Sequence, residues 1–233
     1  MIFLPGSGNQ VSFFFSSTEF NSKKVVIIGP GTIEIAQKIN LGEPSKIIII
    51  VDDYDSLITT RYRLENSGEK NIEVRMMEYD NTDFRKESID VVYAQASVSV
   101  PARNKITREI KKILTPDGIY CAGEIVMLKD NPPEFVQDIW QSSDILPLNI
   151  SSADKYYEER GFEIIDKKDL SFTLKDFYRE SEKLLANETK DLSEQEKSYH
   201  KKLLKKISHE SNAYLKLGGD AYMGFMALIM RKK

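Results

Sequence analysis

Two glycines that flank a proline are the first residues whose type and position suggest a ligand. Gly29, Pro30 and Gly31 follow four apolar β-branched residues, and a helical pattern begins directly after them. Because glycine has no Cβ, its backbone can approach a bound molecule closely. The helix that follows would present free N–H groups and the positive end of its dipole to that molecule. The alternative is a turn that only the backbone requires.

A carboxylate at the end of the next apolar run extends this pattern. Asp52 lies about 21 residues beyond Gly31, where an acid can accept hydrogen bonds from both hydroxyls of a ribose. Dinucleotide-binding dehydrogenases and S-adenosylmethionine methyltransferases share this arrangement, so the motif alone does not separate them. Without a ligand, Asp52 would simply end its strand and cap the next helix.

Glu34 favours the second of these cofactors. The dinucleotide fingerprint has glycine at this position, and a glutamate beside a pyrophosphate would repel it. A sulfonium cofactor is cationic and carries no phosphate, so nearby acids are tolerated. An NAD-dependent oxidoreductase is therefore the less favoured reading.

Asp80 and Asn81 follow the third apolar segment and suit the edge of an adenine. The carboxylate would accept a hydrogen bond from the amino group, and a backbone N–H would bond a ring nitrogen. Asp83 is close enough in sequence to take the place of Asp80.

No residue is strongly marked for acid–base catalysis. Tyr93 and Glu124 lie near the carboxyl ends of predicted strands and are weak candidates. His200 and His209 lie in a polar helical stretch and are expected at the surface. Cys121 lies in an apolar run and is expected to fill space. One cysteine and two histidines without zinc spacing predict no metal site.

The elements that position these residues alternate between strand and helix patterns. Patterns typical of strands cover 24–28, 46–53, 71–80, 88–96 and 119–127, and patterns typical of helices cover 33–41, 56–68 and 102–114. The alternation predicts an α/β fold, with a parallel sheet between helices and the ligand beyond the carboxyl ends of the strands.

The pattern changes after this alternation. A turn at 116–118, a short helix or loop at 132–141, a helix at 151–162, a strand at 162–171 and a closing strand are expected. A long polar helical stretch, about 174–216 with a break near 187–192, precedes the closing strand. These features predict a single domain over residues 1–233, with a helical cap inserted before the last strand.

The order of three segments resembles class I S-adenosylmethionine-dependent methyltransferases. The segments are "IDVV" at 89–92, "REIKKILTPDGIY" at 108–120 and "KYYEERGFEII" at 155–165. The likeness is strongest to the small-molecule group that includes ubiquinone and menaquinone biosynthesis enzymes, and it covers roughly residues 24–171. It implies a three-layer, Rossmann-like sheet of seven strands, mostly parallel with the last strand antiparallel. It also implies S-adenosylmethionine as cofactor and a small-molecule methyl acceptor.

The resemblance further implies where the cofactor would lie along the sheet. Each implied contact is a residue at or just past a strand end: Gly29, Pro30 and Gly31 at the methionine end, Asp52 at the ribose, Asp53 or Tyr54 beside the adenine, Asp80 and Asn81 at the adenine edge, and Gln95 and Ala96 beside the transferable methyl.

Three positions depart from the family pattern. Ile27 stands where an acid usually holds the amino-acid end of the cofactor, Ile33 replaces a third glycine, and Asp117 replaces a glycine of the usual "PGG". Two hypotheses therefore stay open. One is a divergent active methyltransferase; the other is a binding or regulatory protein on the same fold.

Composition limits the partners. A net charge of −3 does not favour nucleic-acid binding. The sequence contains no 18-residue apolar run, and Pro5-Gly6 interrupts an N-terminus that lacks a basic segment. These features predict a cytoplasmic protein without a membrane partner, either a monomer or a homodimer.

Overall fold

The computed structural model describes residues 2–188 and 201–233. Seven strands form one path in the order β3-β2-β1-β4-β5-β8-β7, and a two-residue strand, β6, pairs with β5. The strands are β1 (Lys24–Ile28), β2 (Lys46–Val51), β3 (Ile72–Met76), β4 (Ile89–Gln95), β5 (Leu114–Met127), β6 (Leu148–Asn149), β7 (Phe162–Asp169) and β8 (Met223–Lys232).

The strand directions confirm the predicted mixed sheet. Strands β1 to β5 pair in parallel, whereas β8 runs antiparallel to both β5 and β7. Strands β1, β2 and β4 are buried along nearly their whole length because helices cover both faces of the sheet.

The helices form the two outer layers. They are α1 (Ser7–Phe15), α2 (Ile33–Asn40), α3 (Tyr54–Ser67), α4 (Arg103–Ile113), α5 (Glu134–Ser142), α6 (Ala153–Glu158), α7 (Thr173–Glu188) and α8 (Lys201–Lys216). Helices α1, α2, α3, α5, α7 and α8 share one apolar core with the sheet, here called the cap-side core. Helices α4 and α6 share the core on the other face.

The predicted cap is present between β7 and β8. Helices α7 and α8 pack against each other, and the rings of Tyr178 and Tyr214 stack with centroids 4.6 Å apart. Helix α7 extends through Glu188. The predicted break near 187–192 lies mostly outside the described residues, as does His200.

The apolar N-terminus packs on the sheet. Phe14 of α1 is fully buried, and its ring lies 5.4 Å from that of Tyr93. The helix follows Gly6, whose φ of 83° favours glycine, and a Cβ there would come within 2.4 Å of the Phe225 ring. This segment therefore belongs to the core on the cap side of the sheet.

The predicted turn at 116–118 is a bulge inside a longer strand. The ladder with β4 already includes Leu114 and then resumes at Ile119, so the intervening residues are looped out. Asp117 takes a φ of 60° within this bulge. Strand β5 therefore begins five residues earlier than the predicted start at 119.

Candidate functional site

The candidate site lies at the carboxyl edge of the parallel strands. Ile28 pairs with Ile50 and with Ala94, and Val51 pairs with Met76. The residues that directly follow β1, β2, β3 and β4 are therefore neighbours along one edge, as the sequence predicts.

The glycine turn has two glycines with different roles. Gly29 (φ 113°) packs under the loop after β4, because a Cβ there would lie 2.8 Å from the Cβ of Ser97. Gly31 (φ 70°) is exposed, and the nearest atom to a Cβ there is Leu4 Cδ2 at 3.9 Å. Pro30 between them is exposed. Gly29 thus meets a packing need, and Gly31 leaves open space where helix α2 begins.

The two isoleucines that depart from the family pattern lie in the interior. Ile27 is fully buried, and Ile33 is 3% exposed within the cap-side core. Glu34 is turned toward α3, where its carboxylate lies 2.6 Å from Arg63 Nη2. Glu34 therefore has a partner within the protein.

Asp52 has an exposed carboxylate at this edge. Its Oδ1 accepts a hydrogen bond of 3.0 Å from the Tyr79 hydroxyl. Burial, and then the negative charge of Asp52, raise the pKa of Tyr79, so this phenol stays protonated and keeps donating. Tyr79 lies three residues past β3, and sequence reasoning did not identify it.

Asp53 caps helix α3. Its Oδ1 accepts the Ser56 N–H at 2.8 Å, and the hydrogen bonds from Ser56 hold its pKa below the usual value. The capping role considered for Asp52 thus belongs to its neighbour, which leaves the Asp52 carboxylate free to face solvent.

Asp80 and Asn81 lie in a turn beyond β3. The Asn81 N–H donates to the Glu78 carbonyl at 3.2 Å. Thr82 anchors the end of the turn by donating its N–H and its hydroxyl to Glu109, at 3.0 and 2.6 Å. Glu78 is exposed and is the second residue past the end of β3. Asp53 has the corresponding position after β2. Glu78 is thus a further carboxylate that sequence reasoning did not single out.

Gln95 holds the N-terminal segment. Its Nε2 donates to the carbonyl oxygens of Pro5 and Ser7 at 2.7 and 3.0 Å, and its Oε1 accepts from Tyr93 at 2.5 Å. The segment Phe3–Ser7 is here called the N-terminal strap. Ala96, the next residue, takes a φ of 58°, an uncommon value for a residue with a side chain.

The two weak catalytic candidates lie in the interior. Tyr93 is fully buried under α1, and burial raises its pKa. Glu124 is also fully buried, on the face covered by α4 and α6. It accepts hydrogen bonds from Arg103 at 3.0 and 3.2 Å, from Ser99 at 2.5 Å and from Tyr157. Both carboxylate oxygens of Glu124 are therefore occupied by protein donors.

Two further residues lie away from this edge. Cys121 is fully buried in β5, where burial raises its pKa to about 12. His209 lies on α8 and is exposed. Across residues 2–188 and 201–233, no cluster of three metal-ligating side chains occurs.

A groove lies between the N-terminal strap, α2 and α7, with a volume of about 740 Å³. We call it the strap groove. Its walls include Phe3 and Leu4 of the strap, Glu34 and Lys38 of α2, and Phe177 and Glu180 of α7. Since Leu4 also borders Gly31, this groove begins next to the glycine turn.

This fold and edge place the chain among the methyltransferases. A family profile described as "Methyltransferase domain" matches residues 21–218, and the chain belongs to that family. The family uses S-adenosylmethionine as its methyl donor. The resemblance stated from the three sequence segments is therefore confirmed.

Particular relatives are more distant. A sterol 24-C-methyltransferase from Pneumocystis carinii is 32% identical over 96 residues, which are 38% of this chain and 26% of that enzyme. The chain thus spans about a quarter of the length of the curated relative that it matches.

Two solved structures share the fold at low sequence identity. Phosphoethanolamine N-methyltransferase 2 from Haemonchus contortus, solved with phosphomonomethylethanolamine and S-adenosylhomocysteine, has a TM-score of 0.80 at 13% identity, covering 98% of this chain and 54% of that one. The [4+2]-cyclase SpnF has a TM-score of 0.80 at 16% identity, covering 97% of this chain and 80% of that one.

Proposed function

We propose that the protein binds S-adenosylmethionine along the edge from Gly31 to Asp52 and transfers its methyl group to a small-molecule acceptor. The observation that carries this proposal is the exposed Asp52 carboxylate, which a protonated Tyr79 holds beside an open glycine turn. A carboxylate in this position can accept hydrogen bonds from both ribose hydroxyls.

The residues fit the adenosyl half of the cofactor. Asp52 binds the ribose, and Tyr79 positions Asp52. Asp53 borders the adenine while it caps α3, and the turn from Glu78 to Asn81 provides carboxylates for the adenine edge, whereas the Asn81 N–H already donates to the Glu78 carbonyl.

The methionine half has fewer polar partners. Gly29, Pro30 and Gly31 offer backbone at the start of α2, whereas the buried Ile27 offers no charge. Gln95 is hydrogen-bonded to Pro5 and Ser7, so it positions the strap beside the transferable methyl group. Ala96 contributes its backbone to the same part of the site.

The methyl donor supplies an activated leaving group, so the protein has only to align the acceptor and exclude water. The strap and cap lie over the sheet on the side where both tasks are needed. This account requires no strongly basic residue, in keeping with the interior positions of Tyr93 and Glu124.

A binding or regulatory protein is the second candidate. It is favoured by the bonds between Gln95 and the strap, which occupy the side chain expected beside the methyl. The fold also occurs in a cyclase, so the fold does not by itself require methyl transfer.

No helix in the described part of the chain is long and apolar enough to cross a membrane. A cytoplasmic location and a monomeric or homodimeric state remain predictions.

Calorimetry with S-adenosylhomocysteine tests the proposal. We expect binding by the unaltered chain and an affinity about 10- to 150-fold lower for Asp52→Asn, because hydrogen bonds to a charged group contribute about 1.5–3 kcal/mol. Asp55→Asn, an exposed acid in the first turn of α3, is the matched control. Absence of heat and of a thermal shift at millimolar ligand would exclude methyl transfer and leave the second candidate.

A further inference from the structure

A second cavity lies between the two cap helices. Its volume is about 300 Å³, and we call it the cap cavity. Most of its walls are apolar side chains of α7 and α8, with one ring from the strap. The apolar lining residues are Phe3, Phe177, Leu184, Leu185, Leu204 and Ile207.

Ser211 is an exception in this apolar wall. It is 1% exposed, and within the described residues its hydroxyl has no hydrogen-bond partner. Two other polar side chains of the wall have partners. Ser181 donates to the Phe177 carbonyl at 2.9 Å, and Glu210 accepts from Ser143. A buried hydroxyl without a partner costs free energy, so the cavity holds one polar group that a ligand can satisfy.

The cap cavity adjoins the strap groove. Phe3 and Phe177 line both, and their ring centroids lie 5.2 Å apart. The groove continues to Leu4, which borders Gly31. Two shared lining residues, Phe3 and Phe177, therefore connect the apolar cavity to a groove that borders the glycine turn.

We propose that the methyl acceptor carries an apolar chain that binds in the cap cavity, with a polar atom of that chain bonded to Ser211. Its reactive end extends past Phe3 and Phe177 into the strap groove, toward Gly31. This inference rests on the proposed function. The cavity volume admits about ten non-hydrogen atoms, at the ~30 Å³ that a water-sized group occupies in a liquid.

Binding of straight-chain primary alcohols tests whether the cap cavity accepts an apolar chain. We titrate the full chain with 1-hexanol, 1-octanol, 1-decanol and 1-tetradecanol by calorimetry. Affinity is expected to rise about fourfold for each added methylene, the factor that corresponds to burial of one CH₂, and to level off near ten atoms. An affinity that does not depend on chain length overturns the proposal.

Two variants locate the bound alcohol. Ile207→Trp fills the cap cavity and is expected to lower 1-decanol affinity at least tenfold, while Ile165→Trp, on the surface of β7, changes it less than twofold. Ser211→Ala removes the hydroxyl and is expected to lower the affinity about two- to tenfold. Equal affinity in folded Ile207→Trp and in Ile165→Trp, with folding checked by circular dichroism, places the alcohol elsewhere and overturns the proposal.

Parallel titration with S-adenosylhomocysteine separates this inference from the proposed function. Binding of the nucleoside without any binding of alcohols leaves methyl transfer in place and overturns the apolar acceptor. Binding of alcohols without the nucleoside overturns the assignment of the cap cavity to an acceptor, because no methyl donor then reaches the groove.

Discussion

Two acidic side chains near strand ends show how differently the two halves of this sheet are built. Asp52, just past β2, is exposed and receives one side-chain hydrogen bond, from Tyr79. Glu124, near the end of β5, is fully buried and bonds Ser99, Arg103 and Tyr157. The half around β1–β3 thus leaves a carboxylate exposed to solvent at its carboxyl edge, and we call it the open half. The half around β4 and β5 is closed, and its charges are compensated within the protein.

The lesson is that position at a strand end does not by itself mark a functional acid. What separates Asp52 from Glu124 is whether the protein itself supplies partners for both carboxylate oxygens. A buried acid with all its acceptor sites occupied stabilises the fold or specifies its packing, whereas an exposed acid held by one donor is available to a ligand.

Removal of the charge of Glu124 should have the largest effect. Glu124→Gln leaves Arg103 buried at 3% exposure without its anion, which is expected to lower the free energy of unfolding by about 3–5 kcal/mol. Urea denaturation measures this loss. Glu158→Gln, at an exposed position of α6, is the control and should change stability by less than about 0.5 kcal/mol. Similar stability of the two variants would mean that the closed half does not depend on this ion pair.

The buried thiol of Cys121 should make the closed half sensitive to alkaline pH. Its folded pKa is raised to about 12 from 9.0, so the folded state keeps a proton that the unfolded state loses. The stabilisation is complete below pH 9 and is lost as the pH rises toward 12. Over this range Cys121→Ala should reduce the slope of unfolding free energy against pH by about 1.4 kcal/mol per unit. Identical slopes in urea titrations of both proteins would show that the thiol does not titrate in this way.

Loss of the Tyr79 hydroxyl should give the smallest effect, and only in the open half. Tyr79→Phe removes the donor that positions Asp52 and is expected to weaken S-adenosylhomocysteine binding about two- to tenfold. The melting temperature should stay close to that of the unaltered protein. Tyr62→Phe, on the exposed face of α3, is the control for calorimetry. A large loss of stability without loss of affinity would assign Tyr79 to the core rather than to the site.

Local pattern was sufficient to predict most of the fold. The all-apolar run of β2, the glycine that ends α3 at Gly68 and the alternation of strands with helices each depend on residues close in sequence, and each is present in the structure. The bulge before Ile119 was missed because the "PDG" segment is compatible with either a turn or an interrupted ladder.

The site was less predictable because its contacts join distant parts of the chain. The position of Asp52 could be predicted from the spacing after the glycine turn. Its donor Tyr79, however, is 27 residues away, in the loop that follows β3. Gln95 bonds a carbonyl 90 residues before it, and no periodicity in the sequence indicates that pairing. The donors to Glu124 are likewise 21 to 33 residues distant, so its role as a buried anion could not be separated from a catalytic one.

The strap has a consequence for the nascent chain before it folds. Its backbone is hydrogen-bonded to Gln95 and to the hydroxyl of Thr173, and Gly6 lies against the ring of Phe225. On a ribosome the strap is translated before each of these partners, and Thr173 follows Gly6 by 167 residues. Its apolar residues therefore remain without these partners until the distant segments have been translated, and chaperones are expected to bind this segment of the nascent chain.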